Sequence, residues 1–120
     1  MTVTLSAEAK SLIDHPNFAH FATVMSDGSP QSTTVWISRD GDRPIVSTTE
    51  SSLMGRNTMR DPRVSISIID FENPYEELQI RGRVVERRPD PDLTMADAIS
   101  HKYIGKPFPL RQYKDRVTLY

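Results

Sequence analysis

The stretch from Val46 to Val64 constrains the fold most, because its secondary-structure pattern changes several times within one short segment. It begins as the end of a β-branched strand, continues through a turn rich in hydroxyl side chains, and becomes a short basic helix predicted over 52–60. Asp61 and Pro62 stop this helix, since proline cannot continue it and restricts the residue before it. A run of apolar residues alternating with serine follows, as in a half-buried strand. The segment therefore predicts a sheet in which one short helix joins two strands.

Hydroxyl and arginine side chains surround the start of this predicted helix. The hydroxyl residues before it are Ser47, Thr48, Thr49, Ser51 and Ser52, and the arginines that follow are Arg56, Arg60 and Arg63. A helix N-terminus offers unpaired N–H groups and the positive end of the helix dipole, which together attract phosphate. Serine and threonine are also ordinary N-cap residues, so the same pattern fits a capped surface helix with a solvated basic face. The residues alone leave both interpretations open.

The rest of the chain reads as short strands joined by tight turns, with a helix towards each end. Ser6 is the predicted N-cap of a helix that ends near Asp14, before Pro16, and another helix is predicted over 92–103. Strands are predicted over 18–25, 31–39, 44–47, 64–68, 77–88 and 116–120, with Asp-Gly turns after the first two and a bulge or bend at Gly82. This succession predicts a small antiparallel β-barrel with short peripheral helices.

Composition excludes several classes of protein. The chain has 120 residues and a net charge of −1, which predicts one domain and gives no support for a nucleic-acid or membrane partner. It has no cysteine, which excludes disulfides and thiolate metal sites, and its three histidines lack the spacing of metal ligands. No apolar run reaches the roughly 20 residues that span a bilayer, and the first residues do not form a signal peptide. We therefore expect a cytoplasmic protein with a single domain over residues 1–120.

Side chains for acid–base or nucleophilic catalysis do not form a recognisable motif. The sequence has no Ser-His-Asp or paired-carboxylate arrangement, so hydrolysis has no support. The polar first half of the strand predicted over 31–39 needs partners, which can be protein or ligand. Trp36 on the same strand fits a side chain that stacks on a bound ring, and it equally fits a buried anchor or a dimer contact.

Three segments resemble the split β-barrel flavin and deazaflavin oxidoreductases, in the order in which that family has them. The first runs from Phe21-Ala22-Thr23-Val24, through Asp27-Gly28-Ser29-Pro30-Gln31, to Val35-Trp36. The second is Gly55-Arg56-Asn57 followed by Arg60-Asp61-Pro62-Arg63-Val64-Ser65, and the third is Glu77-Leu78-Gln79-Ile80-Arg81-Gly82-Arg83-Val84. The resemblance covers nearly the whole chain and is closest to the F420-dependent branch. The family also includes pyridoxamine 5′-phosphate oxidase-like proteins that bind FMN.

The resemblance implies a mainly β fold, a six- or seven-stranded antiparallel split β-barrel, which works as a homodimer with its cofactor in a groove at the interface. By matching position, the residues that would line the cofactor ring are Gln31, Ser32, Thr33, Val35 and Trp36. Those that would hold the ribityl chain and phosphate are Ser47, Thr48, Thr49, Ser52, Arg56 and Asn57, with Met54 beside them. This agrees with the phosphate-site interpretation of the helix start.

Departures from the family pattern in two places, the start of the predicted helix and the end of the chain, affect these expectations. Met54 stands where many relatives have a lysine, and Ser52 stands where many F420-binding relatives have an arginine. Without these two cations we expect weaker binding of the phosphate and acidic tail of the cofactor, because charge-assisted hydrogen bonds are stronger than neutral ones. The chain also stops at Tyr120, where relatives continue the last strand, so we expect a domain shortened at its C-terminus.

The implied activity is hydride transfer from reduced F420 to a small organic substrate. Such a reaction needs few catalytic side chains, because the cofactor carries the chemistry and the protein supplies position and electrostatics. The alternatives are an FMN-dependent oxidoreductase of the pyridoxamine-phosphate-oxidase type and a cofactor carrier with no turnover of its own.

Overall fold

Residues 4–109 and 115–120, which a computed structural model describes, form three helices and eight strands. The helices are α1 (Ala7–Asp14), α2 (Leu53–Arg60) and α3 (Thr94–Ile104). The strands are β1 (Ala19–Val24), β2 (Pro30–Val35), β3 (Ser38–Asp40), β4 (Arg43–Thr49), β5 (Arg63–Ile69), β6 (Glu77–Arg83), β7 (Arg87–Pro89) and β8 (Arg116–Leu119). All three predicted helices are present, each within two residues of its predicted bounds.

The strands form two four-stranded antiparallel sheets, with the orders β2-β1-β5-β6 and β3-β4-β8-β7. Tight turns join β1 to β2 and β3 to β4, and each contains a glycine with positive φ, Gly28 and Gly41. The predicted mainly β, antiparallel split barrel with short peripheral helices is confirmed.

The described part of the chain has eight strands where six or seven were predicted, because two long predicted strands each cross from one sheet to the other. The strand predicted over 31–39 divides into β2 and β3 at Trp36 and Ile37. Ile37 is fully buried there, and its backbone N–H bonds to the hydroxyl of Tyr103 at 3.1 Å instead of to a neighbouring strand. The strand predicted over 77–88 divides into β6 and β7 in the same way.

The prediction of a bulge or bend at Gly82 is wrong by two residues. Gly82 pairs with Val64 in an unbroken register between β5 and β6. The crossing comes after Gly82. The Val84 N–H donates to the Pro62 carbonyl, beside the first sheet, whereas the Val85 N–H donates to the carbonyl of Tyr120, which follows β8 of the second sheet. The glycine therefore leaves an open surface position on β6 and does not make the corner.

Two apolar clusters fix the layers relative to one another. The larger one lies between the sheets and α1, and its central residues include Ile13, Phe21, Val46, Ile66, Ile68 and Val117. Ile66 and Ile68 alternate with half-buried serines along β5, as the sequence pattern predicts. The smaller cluster joins Ile45, Ile99 and Tyr120, with Trp36, Met95 and Tyr103 at its edge. It therefore packs α3 against the second sheet.

Side-chain caps fix where the helices begin. Ser6 accepts a hydrogen bond from the Ala9 N–H at α1, as predicted. Ser52, which was predicted as the first residue of α2, is its N-cap and accepts a hydrogen bond from the Gly55 N–H. At α3, the buried Asp90 carboxylate accepts from the N–H groups of Met95 and Ala96, at 3.2 and 3.0 Å. Among the described residues, no helix is long and apolar enough to cross a membrane.

Candidate functional site

A groove of about 410 Å³ opens between the end of β2, the middle of β4, the start of α2 and one face of α3. This size falls within the range of roughly 300–1,000 Å³ that is typical of small-molecule sites. Its lining residues are Phe18, Thr34, Val35, Trp36, Ser47, Met54, Ala96, Ile99, Phe108, Pro109 and Arg116. Most of these side chains are apolar, with a few polar groups among them, as expected of a site for a conjugated ring.

Aromatic side chains form one wall of the groove. Trp36 stacks on Tyr103 with ring centroids 5.1 Å apart and planes 7° apart, and it meets the edge of Phe108 at 6.2 Å. The Tyr103 hydroxyl donates to the Asn17 carbonyl at 2.5 Å and accepts from the Ile37 N–H. Burial raises the pKa of Tyr103, which keeps its hydroxyl protonated as a donor. Trp36 therefore rests on a fixed partner while lining the groove.

The hydroxyls before α2 divide between the groove and the protein itself. Ser47 lines the groove and accepts a hydrogen bond from the Arg116 Nε at 3.1 Å. Thr48 is buried and hydrogen-bonded to Ser52 at 2.7 Å, and the Ser52 hydroxyl donates to the Thr49 carbonyl at 2.8 Å. In this arrangement Thr48, Thr49 and Ser52 hold the turn together, and none of them lines the groove.

Helix α2 turns different faces towards the groove, the core and solvent. Met54 lines the groove and packs against the larger apolar cluster. Asn57 is buried, and its amide donates to the Thr23 hydroxyl at 3.0 Å and accepts from Arg60 at 3.0 Å. Arg56 is exposed, lies outside the groove lining, and has no side-chain hydrogen bond or ion pair within residues 4–109 and 115–120.

Strand β2 contributes to the groove only at its end. Thr34 and Val35, followed by Trp36, lie at that end and line the groove. Gln31, Ser32 and Thr33 are further along the strand, towards the turn with β1, and do not line it. Of the predicted cofactor-binding residues, the groove brings together Val35, Trp36, Ser47 and Met54.

Several lining residues were not predicted as site residues. Ala96 and Ile99 come from α3, where the apolar pattern indicated only a core-facing helix. Phe108 lies in the loop after α3, and Arg116 begins β8. The Arg116 guanidinium lies over the Phe108 ring at 4.3 Å, and burial lowers the pKa of this arginine. Local sequence carries no signal for the position of Arg116 in the groove. Only the pairing of β8 with β4 brings Arg116 beside Ser47.

The lining residues can hold and shield a planar ring, but they are poorly suited to acid–base catalysis. Among the described residues that line the groove there is no carboxylate and no histidine. The described part of the chain also has no cluster of three or more histidine, cysteine or acidic side chains that could hold a metal ion. The groove is therefore a candidate binding site, in which a bound cofactor would supply the chemistry.

Comparisons with known proteins identify the family. A family model described as pyridoxamine 5′-phosphate oxidase matches residues 5–119. A solved structure described as an F420 reductase is 34% identical, with a TM-score of 0.83, over 92% of this chain and 88% of that one. No match was found among curated proteins.

Two more distant structures share the fold. A conserved hypothetical protein from Mycobacterium tuberculosis is 22% identical, with a TM-score of 0.76, over 98% of this chain and 79% of that one. A heme-binding protein from Mycobacterium smegmatis is 23% identical, with a TM-score of 0.64, over 98% of this chain and 51% of that one. At such identities the likeness concerns the fold alone, whereas the family match spans almost the whole sequence. The chain therefore belongs to the pyridoxamine 5′-phosphate oxidase family, the flavin and deazaflavin split barrels.

Proposed function

We propose that this protein is an F420-dependent oxidoreductase that transfers a hydride from the reduced deazaflavin to a small organic substrate. The observation that carries the proposal is the aromatic-walled groove, formed by Trp36, Val35 and Met54 with Ser47 at its polar end. The identity of 34% with an F420 reductase over most of both chains favours F420 above FMN.

The groove residues fit a deazaflavin by their chemistry. Trp36, Val35 and Met54 offer apolar contacts to a planar ring, and Ser47 and Thr34 offer hydroxyls at its margin. When bound, reduced F420 supplies the hydride, and the protein supplies position and electrostatics. The stack of Trp36 on Tyr103 fixes the wall against which the ring would lie, and α3 shields that side from water through Ala96 and Ile99.

The test of this function is a paired titration of the purified protein with F420 and with FMN, followed by absorbance and fluorescence. We expect F420 to bind more tightly, and the reduced F420 complex to pass its hydride to at least one of a panel of organic acceptors. Tighter binding of FMN would favour the FMN-dependent alternative. Tight F420 binding without turnover on any acceptor would favour a carrier.

We also propose that the protein works as a homodimer. A barrel of this size has too little interior to enclose a large cofactor, and the groove is open at the surface. Phe71 and Tyr75 are 75% and 94% exposed in the single chain, which is apolar surface that a partner would cover. Sedimentation at micromolar concentration should give twice the chain mass of 13.6 kDa. A single species at 13.6 kDa with cofactor present contradicts the dimer.

Met54→Lys should tighten F420 binding, because Met54 lines the groove and a thioether cannot pair with an anion. F420 carries a phosphate and several glutamates, and a partly exposed ammonium near them should contribute about 1 kcal/mol, less at higher salt. The control is Met59→Lys, since Met59 lies on the same helix, is 61% exposed and does not line the groove. Equal F420 affinities for Met54→Lys and wild type at low salt would mean that residue 54 does not face the cofactor.

A further inference from the structure

We propose that Arg116, with Ser47 and the ring of Phe108, forms an anion-binding subsite in the groove. It would take a phosphate or carboxylate group of the bound ligand, which is either the cofactor or the substrate. The proposal rests on the proposed function for the identity of the ligand, but the subsite itself follows from the contacts of Arg116.

The guanidinium is held by two contacts that leave one end open. Its Nε donates to the Ser47 hydroxyl at 3.1 Å, and its central carbon lies 4.3 Å from the centre of the Phe108 ring. Within residues 4–109 and 115–120, the two terminal nitrogens of Arg116 have no hydrogen bond and no ion pair. Arg116, Ser47 and Phe108 all line the groove. The fork of the guanidinium is therefore fixed in orientation and still has donors to offer.

The carboxylates that act electrostatically on Arg116 already accept hydrogen bonds from other groups. Asp90 and Asp115 act on Arg116 electrostatically, but neither forms an ion pair with it within 4.0 Å. Asp90 accepts from two N–H groups at the start of α3, and Asp115 accepts from the Ser51 N–H at 2.9 Å. Glu50, which lies near Asp115, pairs with Arg87 at 2.5 Å. The positive charge of Arg116 therefore remains without a direct counter-ion among the described residues.

The other cations around α2 do not line the groove. Arg60 donates to the Val24 carbonyl and to Asn57, and Arg87 is divided among Glu50, Thr58 and the Gly55 carbonyl. Arg56 lies on the exposed side of the helix. Among the described residues lining the groove, Arg116 is thus the one cation, and it comes from β8 and not from the helix start.

The donor set matches an oxyanion. Arginine presents a planar fork that bonds carboxylate or phosphate oxygens in pairs, and such bonds are among the strongest in proteins. Because the Ser47 oxygen accepts from Nε, its own O–H is left to donate to the same anion. A half-buried cation that lacks a counter-ion is costly to the protein, so an anionic ligand would relieve this cost on binding.

The first experiment uses inorganic phosphate and needs no cofactor. Trp36 is the single tryptophan of the chain and meets the Phe108 ring edge, so its fluorescence reports on this end of the groove. We expect wild type to show a saturable change with phosphate that chloride at equal ionic strength does not cause. Arg116→Gln should weaken phosphate binding about tenfold or more, and Arg116→Lys should weaken it less. Arg81→Gln, on the exposed face of β6, should bind as wild type.

The second experiment identifies the source of the anion. Wild type and Arg116→Gln are titrated with F420 and with its chromophore lacking the phosphate and glutamates. If Arg116→Gln loses affinity for F420 but not for the truncated chromophore, the subsite belongs to the cofactor. If Arg116→Gln keeps wild-type affinity for both ligands but has lost phosphate binding in the first experiment, the subsite belongs to an acidic substrate. Equal losses for both ligands mean that Arg116 only shapes the groove, which overturns the proposal.

Controls separate this proposal from failures of folding and of the proposed function. Ser47→Ala removes one donor and leaves the arginine, so it should weaken phosphate binding severalfold even if Arg116→Gln unfolds. Wild type that binds phosphate through Arg116 but does not bind F420 refutes the F420 function and leaves the subsite standing. Wild type without a saturable phosphate signal, or Arg116→Gln that binds phosphate as tightly as wild type, overturns the subsite.

Discussion

Gly55→Ala should lower the free energy of unfolding by about 3 kcal/mol, the upper end of the usual cost of overpacking. A β-carbon at this position would lie 2.2 Å from the Thr49 carbonyl oxygen and 2.9 Å from that of Glu50. Both atoms belong to the backbone, so neither can rotate away and α2 must move as a whole. Intrinsic helix propensity acts in the opposite direction, favouring alanine by about 1 kcal/mol, and the steric conflict should outweigh it.

Thermal and denaturant unfolding of Gly55→Ala measure this effect, and the melting temperature should fall by on the order of 10 °C. Gly82→Ala is the matched control, because Gly82 lies in a strand and a β-carbon added there would meet no neighbouring group within 4 Å. Its stability should stay close to that of wild type. A Gly55→Ala variant as stable as wild type would show that α2 does not press against the turn after β4.

Predictions from local sequence succeeded where the signal lies within a few residues. Ser52 caps α2 and Pro62 follows its end, so one short segment determined both ends of the helix. The alternation of Ile66 and Ile68 with serine likewise determined which face of β5 is buried. The crossing at Ile37 was missed and the one after Val84 was predicted two residues too early, because a strand pattern continues through both and only the change of hydrogen-bond partner marks the corner.

The lining of the groove was expected only in part from the sequence. Trp36, Ser47 and Met54 line the groove at positions implied by the family resemblance. The role of Asn57 depends on Thr23, which is 34 residues away in the chain, and that of Arg116 depends on Ser47, which is 69 residues away. Such contacts follow from strand pairing and helix docking, which a single sequence does not specify residue by residue. The sequence therefore indicated the segment of the site better than the side chains that complete it.

Arg87→Ala should destabilise the protein by about 2 kcal/mol, because it leaves several polar groups without their partner. Arg87 on β7 donates to the Thr58 hydroxyl at 2.8 Å, the Gly55 carbonyl at 2.9 Å and the Glu50 carboxylate at 2.5 Å. It thus ties two turns of α2 to the residue that follows β4. Arg87→Lys should recover only part of the loss, since an ammonium is a point donor and cannot reproduce the fork.

The comparison with a surface arginine makes this prediction specific. Arg63→Ala removes an ion pair to Asp61 in which the arginine side chain is 66% exposed, and we expect little change in stability. If Arg87→Ala is equally mild, the contacts to Thr58 and Glu50 do not hold α2.

Below its melting temperature, Arg87→Ala should also bind F420 less tightly, because Met54 on the loosened helix lines the groove. Arg63 lies beyond the end of α2 and is not among the described residues that line the groove, so its variant should keep wild-type F420 affinity.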